Sequence, residues 1–594
     1  MMTPTPTKNK LPLRKGSFTT LAQALDYAAE GETGFNFYNG IGKLSAVLPY
    51  KNLQKEAKSL ARRLLGLGPE RGARVAMVAD THPNFMRYFF ACQYAGLVPV
   101  PLPASIYLGG REAFVKQLRR LLVSCKADIA IAPEEYLPYL REAADGLDVT
   151  YYGSTNAFVH LPEEQVELEP SGAHELAYLQ YTSGSTRFPR GVMITQQTVM
   201  SNLSAMITYG IELEQSDRVV SWLPFYHDMG LVGMVLAPLA AQISVDYLSP
   251  RDFAMRPRLW LKLMSENRAT ISFSPPFGYE LCQQRLRPND IKTFDLSSWR
   301  VAGVGAEPIT PEPLRRFAET LAPAGFNKSA FVAGYGMAEC TLAVSFSPLS
   351  LGLIADNVER DHLANFQKAI PVNTATGNMT SGVKTFVSCG EPLPGYDVQV
   401  RNDHGRVLPE RQVGTLFVRG PSVMRGYFND AEATQAALSE DGWFDTGDLA
   451  YRNANSIVIT GRAKDLIIIN GRNIWPQDLE SIAEQQPDVR TGDASAFSLA
   501  GADGTDKAIL LVQCRDPERA TDTELAVNIK SRIRREFGID CKIELVPRHT
   551  LPRTTSGKLS RSKARQDYIQ RTVGVESKQL NLMQDQYQPL RQAV

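Results

Sequence analysis

Between residues 74 and 132 the chain alternates between two patterns. Residues 74–79 and 97–102 are continuous apolar runs of strand length, and 128–132 is another. The stretches between them, 84–95 and 111–125, carry apolar side chains at helical spacing. Strand, helix and strand in such short compass predict βαβ units, hence a parallel sheet. The pattern returns at 197–209 before 218–222, and at 258–267 before 270–274. Upstream, 20–29 and 50–67 read as helices and 34–38 as a strand. The expected fold class is α/β, with parallel sheets sandwiched by helices.

Farther along the pattern changes. Residues 346–388 hold Gly, Asn, Thr and Ser with little periodicity, which predicts a long surface excursion without a core of its own. Residues 397–400, 414–419 and 456–460 read as short antiparallel strands. From 462 the chain restarts, with strands at 465–469, 508–513 and 543–545 and helices at 477–485 and 523–537. That is enough for a small α+β domain. The expected division is a large domain over 1–461, with an insertion at about 346–388, and a small C-terminal domain over 462–594. The last thirty residues are polar and Gln-rich and receive no role. There are no internal repeats.

Composition narrows the functions. Of 594 residues 43% are hydrophobic and 21% charged, which suits a globular protein with more than one domain. The net charge is +1, so nothing calls for nucleic acid or an acidic membrane surface. Seven scattered cysteines form no C-x-x-C pair, so neither a zinc site nor a disulfide framework is expected; reduced thiols in the cytoplasm are the simplest account. The first seventeen residues are basic but lack the apolar core of a secretion signal. Residues 229–245 are apolar yet contain Pro238 and Gln242 and run into Asp246, which reads as a buried helix and not a transmembrane segment.

The candidate chemistry centres on Tyr181-Thr182-Ser183-Gly184-Ser185-Thr186-Arg187-Phe188-Pro189-Arg190-Gly191. Hydroxyls and glycines between two elements can turn donors inward around phosphate oxygens, and Arg190 adds a permanent charge. An ordinary polar turn has the same composition. The spacing excludes a Walker loop: Gly184 and Gly191 lie too far apart and no Gly-Lys pair follows, while Gly557-Lys558 has Pro552 where that motif needs glycine. The stretch resembles the phosphate loop of the acyl-adenylate-forming (AMP-binding) enzymes, usually Y-T-S-G-T-T-G-x-P-K-G. It departs by Arg187 for Gly and Arg190 for Lys. The first departure is similar to the fatty acyl-AMP ligase branch.

Six further stretches follow in the family's order over residues 180–563, and the resemblance assigns their roles. Trp222-Leu223-Pro224-Phe225-Tyr226-His227-Asp228-Met229-Gly230 would line the acyl pocket, through Trp222, Phe225, Met229 and Gly230 with Gly334, and would set His227 near the reacting carboxylate. Gly305, Ala306 and Glu307 form a turn that would pack on adenine. In Gly334-Tyr335-Gly336-Met337-Ala338-Glu339, Tyr335 would stack near adenine, with Gly336, Met337 and Ala338 beside the nucleotide, and Glu339 would hold Mg²⁺. A hard cation favours a carboxylate oxygen. Ala338 stands where the family has Thr, which removes one hydroxyl. Asp448, expected on a tight turn, would accept the ribose hydroxyls. Arg462 would contact ribose or phosphate, and Lys464 would mark the hinge on which the small domain swings. Lys558, in Pro552-Arg553-Thr554-Thr555-Ser556-Gly557-Lys558, would bridge the substrate carboxylate and the α-phosphate.

The resemblance therefore implies an ATP- and Mg²⁺-dependent ligase that joins a medium- or long-chain fatty acid to AMP and releases pyrophosphate. The long stretch between Glu339 and Gly390, with Ser-Thr-Arg in the loop and His-Asp-Met-Gly-Leu, favours the fatty acyl-AMP ligase branch. The acceptor would then be the phosphopantetheine of an acyl carrier protein or of a polyketide or peptide synthetase carrier domain. A fatty acyl-CoA ligase and a non-catalytic nucleotide- and lipid-binding homologue remain as alternatives.

Overall fold

The computed structural model describes residues 2–7, 10–104, 110–182, 189–372, 382–469, 472–500, 506–514, 523–554 and 558–572. The fold is α/β. Its centre is a nine-stranded sheet in which Arg218–Ser221, Ile271–Ser274, Val301–Val304 and Phe331–Gly336 run parallel as neighbours. A second, four-stranded parallel sheet holds Arg74–Val78 between Val98–Leu102 and Ala127–Ala132. Helices cover both, as buried apolar strands require. Residues 229–245, expected as one buried helix, instead form a π-helix, Met229–Leu236, one α-turn and then the strand Ser244–Leu248, which pairs in the central sheet. A continuous apolar run does not distinguish a buried helix from a buried strand, and here it holds both.

The short antiparallel strands form a four-stranded sheet of Asp397–Arg401, Gly414–Arg419, Phe444–Asn453 and Ser456–Arg462. Asp448 thus lies within a strand, opposite Arg462, and not on the tight turn its sequence suggested. The small C-terminal unit has Ala494–Ala500, Asp506–Gln513 and Cys541–Val546 as one sheet, with the helices Pro476–Glu484 and Thr523–Phe537 on its own apolar cluster. Lys464 sits in the single turn Ala463–Asp465 that leads into it.

The 346–388 stretch is more ordered than its composition suggested. Ala355–Glu359 pairs antiparallel with Val383–Val387, and the helix Arg360–Phe366 follows the first strand. Val358, Leu363 and Phe386 join Val413, Leu449, Tyr451, Val458 and Trp475 in one buried cluster. The excursion therefore shares a core with the antiparallel sheet, which periodicity could not reveal because its partners lie far downstream in the chain.

Asp356 anchors it. The carboxylate accepts from Tyr451 Oη at 2.7 Å, from Arg411 Nη1 at 3.2 Å and from Asn453 Nδ2 at 3.3 Å. Asp356→Ala would leave the buried Tyr451 hydroxyl without this acceptor and remove the Arg411 ion pair. We expect a loss of roughly 2–4 kcal/mol in stability. Chemical denaturation, with limited proteolysis across 346–388, measures it; an unchanged midpoint and cleavage pattern would show that the anchor is unimportant.

Candidate active site

Parallel strands place their carboxyl ends along one rim, and in open α/β sheets the crevice outside that rim takes the ligand. The predicted motifs follow these strand ends. Trp222–Gly230 continues from Ser221, Gly305–Glu307 from Val304, and Tyr335–Glu339 occupies and follows the end of Phe331–Gly336. The glycines are demanded by close approach within the protein. A Cβ on Gly336 would lie 1.7 Å from the Leu342 carbonyl oxygen, and one on Gly305 would lie 2.7 Å from that of Gly334.

Glu339 is set by a strained turn. Thr341 adopts φ 68°, ψ −57°, and Leu342 N–H donates to the Cys340 carbonyl at 2.9 Å, which makes a γ-turn centred on a β-branched residue. The Thr341 hydroxyl, buried, donates to the Ser422 carbonyl and holds the turn. The half-buried Glu339 carboxylate accepts from Tyr427 Oη at 3.0 Å, and burial pushes its pKa up. Among the described residues no three His, Cys, Asp or Glu side chains gather to cage a metal. A single desolvated carboxylate fits Mg²⁺, which usually takes one or two carboxylates with the rest of its shell from phosphate and water.

Asp448 is buried. Its Oδ2 accepts from Tyr335 Oη at 2.8 Å and its Oδ1 faces Arg462 Nε at 3.0 Å. Burial raises its pKa, against the Arg462 charge. Each oxygen keeps acceptor capacity for a further donor. The phosphate-loop stem is an antiparallel pair, Leu176–Tyr181 with Gly191–Thr195. Thr182 N–H donates to the Arg190 carbonyl at 3.1 Å and closes it. Ser183, Gly184, Ser185 and Thr186 lie outside the described residues. Arg190 pairs with Asp430 at 3.2 Å.

The Trp222–Gly230 segment mixes core and rim. The Trp222 ring stacks on Phe253 at 3.8 Å, and Phe225 is fully buried against Phe85 and Tyr247. Met229 is buried, Gly230 packs on the Pro224 carbonyl and Gly334 lies against Phe346. His227 Nδ1 lies 2.6 Å from Asp228 Oδ1, a contact that fixes the ring.

Lys558 reaches this rim from the small unit. Its stem is closed by Thr554 N–H donating to the Lys558 carbonyl at 2.7 Å and Ser560 N–H to the Pro552 carbonyl at 2.9 Å. Burial lowers the ammonium pKa, and the facing Glu307 and Asp228 carboxylates oppose that shift. The reciprocal effects agree. Burial raises Glu307 while Lys558 pulls it down, and in Asp228 the contact with His227, the Lys558 charge and the Met229 N–H together outweigh burial and hold the carboxyl low. The site thus gathers Glu307, Asp228, Asp448, Arg462 and Lys558 from segments far apart in sequence. Tyr427 and Asp430, which touch Glu339 and Arg190, were missed; only their place beside Gly426 could have hinted at a turn near the site.

Residues 40–428 match the AMP-binding enzyme family. A structure from a study of fatty acyl-adenylate ligases of E. coli and L. pneumophila is 47% identical with a TM-score of 0.90, covering 95% of this chain and all of that one. A Caulobacter vibrioides protein provisionally named acyl-CoA synthetase is 45% identical over 96% of this chain and 99% of its own. The medium-chain-fatty-acid–[acyl-carrier-protein] ligase JamA of Moorena producens is 30% identical over 94% of this chain and 97% of its own. The chain belongs to the AMP-binding enzymes, and within them to the fatty acyl-AMP ligase branch. It is an acid–AMP ligase, as its motifs implied. Among the described residues no helix is long and apolar enough to cross a membrane.

Lys558 carries a pH prediction. Its lowered pKa means that it loses its proton at lower pH than an ordinary lysine. Activity that needs the ammonium should therefore fall as pH rises through that lowered value. The kcat/KM profile for acyl-AMP formation reports this group in the free enzyme. Lys558→Arg, which cannot deprotonate in that range, should push the alkaline limb upward, while Lys558→Ala should lower kcat with ATP binding nearly intact. An unmoved limb in the arginine variant would rule Lys558 out as its source.

Proposed function

We propose that the protein activates a medium- or long-chain fatty acid as fatty acyl-AMP and passes the acyl group to the phosphopantetheine of an acyl carrier protein or carrier domain. The observation that carries this reading is the convergence of Lys558 with Glu307 and Asp228 at the strand-end rim, beside Glu339 and Asp448. The substrate carboxylate attacks the α-phosphorus of ATP, acyl-AMP forms and pyrophosphate leaves. No protein nucleophile is needed; the task is to bring two anions together and offset their charge. Lys558 sits between the carboxylate and the α-phosphate, and Arg190 with the 182–190 loop binds the outer phosphates. Asp448 takes the ribose and Tyr335 the adenine. Mg²⁺, held by Glu339, would neutralise charge on the phosphates. His227 orients the fatty acid carboxylate.

The choice of acceptor rests on the insertion. Lys384 pairs with Asp478 of the small unit at 2.7 Å, both largely buried, and its ammonium lies 4.1 Å over the Trp475 ring. Arg472 pairs with Asp361 at 3.2 Å, and Arg360 lies 5.0 Å over Phe537. These ties favour the pose in which Lys558 meets the rim. An acceptor that needs another pose must supply differential affinity to reach it, and a docking carrier protein can do so with its own surface. Two relatives, JamA and TtuA of Teredinibacter turnerae, are named as acyl-carrier-protein ligases. An acyl-CoA ligase is the second reading, favoured by the provisional name of the Caulobacter relative.

Glu339→Gln should raise the Mg²⁺ concentration needed for acyl-AMP formation sharply, since an amide is a poorer ligand for a hard cation; an unchanged Mg²⁺ titration would move the metal elsewhere. With CoA as acceptor, the intact protein should release acyl-AMP and little acyl-CoA. Lys384→Ala combined with Arg360→Ala should gain CoA transfer without faster adenylation. Robust acyl-CoA from the intact protein would make it an acyl-CoA ligase. A double variant that adenylates normally and still ignores CoA would show that the ties are not the barrier.

A further inference from the structure

The segment from Met424 to Asp430 lies between two parts of the site and is bonded to both. Met424 N–H donates to the Glu339 carbonyl at 2.7 Å. Three bonds lace the segment to the exit strand of the phosphate loop: Arg425 N–H to the Met193 carbonyl at 3.2 Å, Met193 N–H to the Gly426 carbonyl at 3.0 Å, and Phe428 N–H to the Gly191 carbonyl at 2.8 Å. The side chain at its centre repeats this bridge. Tyr427 is 7% exposed. Its hydroxyl donates to Glu339 Oε1 at 3.0 Å, while the Arg190 guanidinium lies 5.1 Å from its ring centre. Its backbone is pinned as well, since its N–H donates to Thr434 Oγ1 at 3.0 Å and that hydroxyl donates to the Asp430 carbonyl at 2.8 Å.

The two ends of this bridge differ in strength. The hydroxyl–carboxylate bond is sheltered and charge-assisted. Arg190 and Asp430 are each more than a third exposed, and an ion pair of that kind is weak. Asp430 is also committed elsewhere, because its Oδ1 accepts Ala433 N–H at the start of the helix Ala431–Ala437. Arg190 can therefore leave Asp430 for a phosphate and keep its place over the ring, while Glu339 stays fixed.

We propose that Tyr427 is a positioning residue that holds Glu339 Oε1, leaves the other carboxylate oxygen for the metal, and sets the distance between the metal ligand and the phosphate-binding Arg190 before nucleotide binds. This rests on the assignment of Glu339 to Mg²⁺. The bridge explains why a residue some ninety positions beyond the site motif is built into it. Its ring serves the phosphate end and its hydroxyl serves the metal end, so the two functions can be separated by substitution.

Calorimetric titration of the full-length protein tests this, with ATP in EDTA and with ATP plus Mg²⁺; Mn²⁺ in place of Mg²⁺ gives a spectroscopic readout of metal capture independent of turnover. Tyr427→Phe keeps the ring and should leave metal-free ATP affinity within about twofold. It should weaken metal-dependent ATP binding about tenfold, the effect expected of a residue that orients a metal ligand. Tyr427→Ala should weaken both. In a Glu339→Gln background, Tyr427→Phe should have no further effect on the metal-dependent part. The proposal is overturned if Tyr427→Phe binds metal and ATP like the wild type while Glu339→Gln does not. It is overturned together with the metal assignment if Glu339→Gln also binds them like the wild type, so the two failures are told apart.

Discussion

The arrangement depends on one electrostatic relation across a boundary: the Lys558 ammonium of the small unit and the Glu307 and Asp228 carboxylates of the large one lie in each other's field. An ammonium taken out of water is costly unless carboxylates face it. Here the cost and the compensation sit on different units, so neither is satisfied alone. Glu307 keeps a raised pKa even with Lys558 nearby, because burial outweighs the cation's pull. On the proposed function, the charge that would serve the reaction also interacts electrostatically across the boundary between the two units. A second tie lies on the same side, where the Thr491 hydroxyl donates to Glu280 Oε1 at 2.8 Å.

On the other side the insertion holds the small unit through Lys384, Arg360 and Asp361. These ties have a different character. Lys384 is largely buried with Asp478 and lies on the Trp475 face, and the Trp475 ring edge also meets Gly461, one residue before Arg462. The insertion therefore contacts the chain close to where the small unit begins. Ties on both sides hold the small unit in the arrangement the structure shows.

Much of this was legible in the sequence. The parallel strands and their helices are local patterns, and the motifs at their carboxyl ends could be placed because short loops follow short strands. Lys558, Glu339, Asp448 and Arg462 were each named from motif wording, and the structure draws them toward one rim. What was not legible depended on distant partners. The insertion lacks periodicity because its buried residues, Val358, Leu363 and Phe386, are completed by Val413, Tyr451 and Trp475. Asp448 looked like a turn residue because Gly447 precedes it, yet the ladder to Arg462 carries it in a strand. Tyr427 had no signal, since one aromatic beside a glycine is common and its partners, Glu339 and Arg190, lie far back in the chain.

The division of mobile and fixed parts follows from how each group is built. Glu339 is locked by a γ-turn whose strain persists because Thr341 is buried and bonded, and Gly336 admits no side chain beside the Leu342 carbonyl. Asp448 and Tyr335 brace each other from neighbouring sheets. On the proposed function these are the groups that would meet the nucleotide, and fixing them in advance would avoid the ordering cost at binding. Lys558 would meet a different demand on the proposed function, because its charge would be wanted where two anions are brought together and not when the acyl group leaves. A long side chain on a loop of a separate unit suits that demand, and its burial among the residues of the rim is what lowers its pKa.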